Sequence, residues 1–173
     1  MRDRLPPDPV IYCTAKANSL ACLPQIGFTG VASASAGSGF VVRAQNIPNG
    51  RQGLLFYSLV GAAAVPFKGA WRCAQLPLKR TATPTSGGNP PPASDCTGTF
   101  AFEFNAFAAS QADPGLVPGQ HVWSQYWSRD AGSPSTTNLS DALEFVLGPV
   151  RPSCLSRFRP LVGAAPAQRA RVR

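Results

Sequence analysis

The apolar residues of this chain come in short runs, and proline or glycine cuts almost every run before a helix could complete several turns. Eighteen prolines and 16 glycines are spread over 173 residues. Proline ends helices but is accommodated at turns and sheet edges, so this punctuation favours strands joined by loops. Where the pattern is periodic, its period is two. Phe40, Val42 and Ala44 alternate with Val41, Arg43 and Gln45, and Phe100, Phe102 and Phe104 alternate with Ala101, Glu103 and Asn105. That is the signature of half-buried strands.

Further strand-like runs are Gln25–Gly30, Gly53–Leu59, His121–Arg129 and Ala142–Leu147, with a short one at Ala63–Phe67 and one broken by Pro77 over Trp71–Arg80. The turn signal Pro48-Asn49-Gly50 predicts that Phe40–Leu59 is a hairpin. Ala106–Ala112 has room for a helical turn or two. Six to eight strands with almost no helix predict an all-β fold, an antiparallel β-sandwich of jelly-roll-like type. The expected layout is a linker over 1–10, a sandwich module over 11–148 and a disordered Arg/Pro/Ala-rich tail over 149–173.

Five cysteines constrain this layout further. Cys13 and Cys22 bracket a short polar segment, and Cys73 and Cys96 bracket a longer one containing the Pro/Gly-rich stretch Thr83–Asp95. Each bracket has the form of a loop closed by a disulfide, which predicts the pairs Cys13–Cys22 and Cys73–Cys96, each contributing roughly 3 kcal/mol. Free thiols are the main competing state. Zinc needs close Cys/His spacing, and the chain has one histidine and no Cys-x-x-Cys. Cys154 is left over. Disulfides imply an oxidising compartment, hence an extracellular or cell-surface setting.

The formal charge of +8 does not mark a nucleic-acid-binding protein. Residues 151–173 hold six arginines and no acid, whereas residues 1–150 hold ten basic and eight acidic residues. The basicity is that of a short tail, and no specific nucleic-acid partner is expected. The first nine residues lack an apolar core of the signal-peptide kind, and no run has the length of a transmembrane helix.

Several strings resemble a module found at the C-terminal end of long secreted and cell-surface proteins of planctomycete-type bacteria. They are Tyr12-Cys13-Thr14-Ala15-Lys16 with Asn18-Ser19 and Cys22, Ser33–Gly39 leading into Phe40, and Gly53-Leu54-Leu55-Phe56-Tyr57. The likeness continues through Ala64-Val65-Pro66-Phe67, the Cys73 strand with Arg80, Ser86–Pro92, Asp95-Cys96 and Phe104-Asn105-Ala106. It ends with Gln125–Asp130 and Ser140–Phe145, and so covers about Tyr12 to Val146. The resemblance implies export and architecture rather than chemistry. It also implies that this chain is a detached or mis-started C-terminal piece, with upstream domains of a parent protein or an envelope polysaccharide as its partners. The family tends to end in Cys-Pro just after the last strand, whereas here Val146-Leu147-Gly148-Pro149 runs on into the arginine tail. That departure puts any role for Cys154 in doubt.

The sequence contains no catalytic motif. His121 is the only histidine, and no Gly-x-Ser-x-Gly elbow accompanies any serine, so no enzyme is expected. Asp130, Asp141 and Glu144 flank the loop Ala131–Ser140 with Asn138 and several hydroxyls. Such oxygen ligands suit calcium, although turn and capping roles are the commoner use of these residues. Otherwise no cofactor is expected. Trp123, Tyr126 and Trp127 form the richest aromatic cluster. On a strand the two tryptophans share a face with His121 and Gln125, roughly 13 Å apart, a spacing that suits stacked sugar rings. The expected function is therefore a non-catalytic structural or attachment module, with carbohydrate binding through the aromatic face as the alternative and hydrolysis a distant third.

Overall fold

The structure, a computed structural model, describes residues 6–149. Cys154 and the arginine tail lie outside the described residues. The described residues form ten strands and one short helix: β1 (Val10–Tyr12), β2 (Gln25–Gly30), β3 (Phe40–Ile47), β4 (Gly53–Ser58), β5 (Ala62–Phe67), β6 (Ala70–Ala74), β7 (Lys79–Arg80), β8 (Gly98–Glu103), α1 (Phe104–Ala109), β9 (His121–Arg129) and β10 (Thr137–Val146). A five-stranded sheet in the order β1-β10-β9-β4-β7 packs on a three-stranded sheet in the order β2-β3-β8. All strand pairs are antiparallel. The expected sandwich is thus built as five strands over three, with β5 and β6 forming a separate two-stranded hairpin.

Alternation decides what meets between the sheets. Phe40, Val42 and Ala44 of β3 and Phe100 of β8 face Leu55 and Tyr57 of β4, Val122 and Tyr126 of β9, and Leu143 and Phe145 of β10. The Tyr126 ring stacks on Phe100 at 5.5 Å, and its hydroxyl crosses the core to donate to the Val42 carbonyl at 2.8 Å. This spares a buried hydroxyl the cost of lacking a partner. Gly53 sits beneath that stack. A Cβ there would meet the Phe100 ring and lie 2.6 Å from the Trp127 carbonyl, so only glycine lets β4 pass.

The expected hairpin over Phe40–Leu59 is corrected. β3 pairs with β2 and β8, and β4 with β7 and β9, so the Pro48-Asn49-Gly50 turn is an arch from one sheet to the other. Both strands carry an apolar face, and each buries it more fully by facing the other across the core than by lying beside it. Val10–Tyr12, read as linker and module edge, is an edge strand paired to β10. Phe104 leaves the phenylalanine alternation to begin α1, where it is fully buried against Tyr57 and Phe145.

The disulfide pairing is also corrected. The four expected cysteines are all bonded, but as Cys13–Cys73 and Cys22–Cys96, with Cα atoms 6.2 and 6.6 Å apart. The loops that those cysteines bracket are closed by side-chain amides instead. Asn18 accepts from the N–H groups of Leu20 and Cys22 and donates to the Asn46 carbonyl, folding the 13–22 loop. Asn49 donates to the Asn89 and Ala93 carbonyls and accepts from the Asp95 N–H, gathering the 89–95 loop onto the arch. The cysteines are thereby free to span sequence separations of 60 and 74 residues. Longer loops remove more entropy from the unfolded chain, about 4 kcal/mol each on the chain-entropy estimate.

One ion pair closes the end of the sandwich. Asp113, buried in the loop after α1, accepts from the Tyr57 hydroxyl at 2.7 Å and from Lys79 Nζ at 2.5 Å. Burial alone would raise its carboxyl, but Lys79, Tyr57 and the Gly115 N–H together hold it below the usual carboxylate range.

Two outcomes are expected. Proteolytic mapping without reductant will recover the Cys13–Cys73 and Cys22–Cys96 peptides, and replacing Cys22 and Cys96 together by serine will cost about 4 kcal/mol in denaturant unfolding. Recovery of Cys13–Cys22 would contradict the pairing. Secondly, because the folded Asp113 carboxyl lies below its unfolded value, its contribution is complete above about pH 4 and is lost as pH falls through the folded value. Asp113→Asn will therefore lower stability at pH 7 and flatten the loss of stability in acid, as read from melting temperature against pH.

Candidate functional site

β9 presents two different faces. Val122, Ser124, Tyr126 and Ser128 point into the sandwich, while His121, Trp123, Gln125, Trp127 and Arg129 point outward. Register places Leu54 and Leu139 beside Trp127, and Phe56 and Ala142 beside Gln125, giving the outer face an apolar floor. Such a floor in contact with water is unfavourable, and the β5–β6 hairpin covers part of it.

Gln125 holds the cover in place. It is fully buried, its Nε2 donates to the carbonyls of Trp71 at 2.9 Å and Ser140 at 2.7 Å, and its Oε1 accepts from the Cys73 N–H at 3.0 Å. A glutamine amide thus fills the strand-edge positions of β6 and also ties down β10 at the bulge between Leu139 and Ala142. Tyr12 reaches β6 from the far edge, its hydroxyl donating to the Cys73 carbonyl at 2.6 Å. Burial and the nearby Glu144 carboxylate push its phenol well above the ordinary tyrosine range, so the hydroxyl keeps its proton as a donor. The Cys13–Cys73 bond fixes the same point covalently.

Beside the pinned hairpin, a groove of about 520 Å³ remains open on the outer face. Its floor is Leu54, Phe56, Trp127 and Leu139, with Leu76 and Leu78 forming a wall. Four cations line it: Lys68 at the hairpin turn, Arg72 on β6, Arg80 on β7 and Arg129 at the end of β9. Among the described residues no carboxylate lines it. None of the four cations takes part in an ion pair among the described residues, and the Arg72 Nε is buried without a hydrogen-bond partner. Arg129 lies over the Trp127 ring, 5.9 Å from its centroid.

The aromatic candidates separate. Tyr126 is buried in the inter-sheet core and offers nothing to a ligand. Trp123 and Trp127 do share the outer face and both are half-buried, but β6 is bonded to Gln125 midway between them. They form no continuous platform. Trp127 lines the groove, whereas Trp123 stacks with His121 at 5.6 Å.

The acidic candidates separate as well. Asp130 is buried at the end of β9 and accepts from the Ser19 N–H and hydroxyl. Asp141 accepts from the Ile26 N–H, and burial raises its carboxyl despite that bond. Glu144 pairs with His121 at 3.2 Å on the exposed outer face. Among the described residues no group of three or more His, Cys, Asp or Glu side chains is placed to hold a metal. The pairing of His121 with Glu144 occurs on an open surface beside Trp123, and among the described residues no serine or other hydroxyl hydrogen-bonds to either side chain.

The groove's cations do not stand out in the sequence, because they are scattered over three strands and a turn within a nearly neutral body. Of the eight basic side chains in residues 6–149, these four share one opening. No described helix is long and apolar enough to cross a membrane. Comparison with known protein families, with curated proteins and with solved structures gives no match to this chain.

Gln125→Leu will leave one buried N–H and two carbonyls without their partner, at a cost of roughly 2–4 kcal/mol. Hydrogen exchange of the Cys73 amide, slow in the wild type, will accelerate out of proportion to the global loss. Unchanged protection at Cys73 would show that Gln125 does not hold the hairpin.

Proposed function

We propose that this chain is a non-catalytic attachment module of an exported, cell-surface bacterial protein, and that it makes its contact through the groove beside the β5–β6 hairpin. The observation that carries this reading is the groove itself: an apolar floor ringed by four cations that no carboxylate among the described residues neutralises. Charged side chains are usually offset by neighbours or dispersed, and their concentration around one apolar opening is the mark of a contact surface. Two disulfides spanning 60 and 74 residues support an oxidising location, as does the resemblance to C-terminal modules of planctomycete-type secreted proteins.

Carbohydrate binding is the second reading, favoured by the half-exposed Trp127 ring in the groove. It now rests on a single tryptophan with Arg129 against it, which fits one sugar ring rather than an extended glycan.

The attachment reading is tested by sedimenting the full oxidised chain with insoluble bacterial envelope fractions. The wild type will co-sediment, and Arg72→Gln combined with Arg129→Gln will reduce the bound fraction several-fold without lowering the melting temperature by more than a few degrees. A wild type that stays in the supernatant with every fraction would overturn the attachment role.

A further inference from the structure

Resting on that reading, we infer that the groove takes a single acyl chain ending in a carboxylate, with the chain along the leucine-lined floor and the carboxylate among Arg72, Arg80 and Arg129. Three observations point to this chemistry. The cavity, about 520 Å³, falls in the range that encloses small organic ligands. Its floor and wall come mainly from Leu54, Phe56, Leu76, Leu78 and Leu139, which suit methylene groups, with the Trp127 ring beside them and Gln52 and Thr83 as the uncharged polar side chains of the lining. A polar ligand laid over these aliphatic side chains would lose water without replacement.

The anionic end follows from the cations. Arg72 has a buried Nε–H that nothing among the described residues accepts, on a side chain lining the groove. A buried donor of this kind is costly when unpaired, and a carboxylate oxygen would satisfy it in a charge-assisted bond. Arg80 and Arg129 are exposed at the same opening and offer further donors, with Lys68 adding charge at the hairpin turn. Several guanidinium groups without a countercharge select an anion over a neutral alcohol of the same length. The remaining cations of the described chain do not line the groove: Lys79 is paired with Asp113, Lys16 donates to Ser133 and Ser135, Arg43 lies on the three-stranded sheet, and Arg51 lies in the arch between β3 and β4.

Dodecanoate at concentrations where it is monomeric is the probe, titrated calorimetrically into the full oxidised chain. One equivalent will bind, and dodecanol of equal chain length will bind roughly tenfold more weakly or worse. Arg72→Gln and the exposed Arg80→Gln will each weaken dodecanoate several-fold. Leu76→Asp, also exposed, will abolish binding, and Arg43→Gln will leave it unchanged. Equal affinity for dodecanoate and dodecanol would overturn the anionic end, and tighter binding of a soluble oligosaccharide than of dodecanoate would overturn the acyl chain. Binding only to vesicles of anionic phospholipid, with none to monomeric dodecanoate, would replace the groove by a surface charge effect. If dodecanoate fails while envelope sedimentation persists, the ligand class is wrong and the attachment role stands. If both fail, the role falls too.

Discussion

The structure depends on one short segment being held to two layers at once. Between β1 and β2 the chain passes from the edge of the five-stranded sheet to the edge of the three-stranded sheet, and each end of the passage is bonded to a different layer. Cys13 fixes it to the outer hairpin through Cys73, and Cys22 fixes it to the approach to β8 through Cys96. The two bonds interleave along the sequence, so neither layer can move far from the segment while both are intact. Asn18 sets the path between them, because its amide dictates where the Cys22 backbone turns.

The consequence on the outer face is a hairpin that would otherwise have little to hold it. β5 and β6 belong to neither main sheet and bury few large side chains. A two-stranded hairpin of this kind is marginal alone. Here it is fixed at one point by a covalent bond, the Tyr12 hydroxyl and two hydrogen bonds to Gln125. Pinning at a point leaves the rest of the apolar face uncovered, and the uncovered part is the groove. Its cations come from the hairpin, from β7 and from β9, so their meeting is a product of the same docking.

Much of the fold was legible in the chain. The alternation at Phe40–Asn46, that at Thr99–Asn105 as far as Glu103, and the run at His121–Arg129 are strands because a period of two is a local property. What joins them is not local. The Pro48-Asn49-Gly50 turn reads the same whether its strands lie side by side or face each other, and only the partners of β3 and β4 decide that it is an arch. The cysteines misled for a related reason: nearness in sequence stood in for nearness in space, while Asn18 and Asn49 were already closing the loops. The shared outward face of Trp123 and Trp127 was legible from parity. That β6 would be bonded between them was not, since nothing along β9 announces a strand from residues 70–74. Net charge hid the groove in the same way, by averaging cations that the fold brings together.

The central claim is that Gln125 and the Cys13–Cys73 bond hold β6 over the outer face and thereby create the groove. Nuclear Overhauser contacts in the oxidised chain test it most directly. Cross-peaks are expected from the Gln125 side-chain amide protons to backbone protons of both Trp71 and Ser140, together with contacts from the Tyr12 ring to Cys73. Absence of the Gln125 contacts to Trp71, with the Gln125–Ser140 contacts retained, would place the hairpin elsewhere and remove the groove.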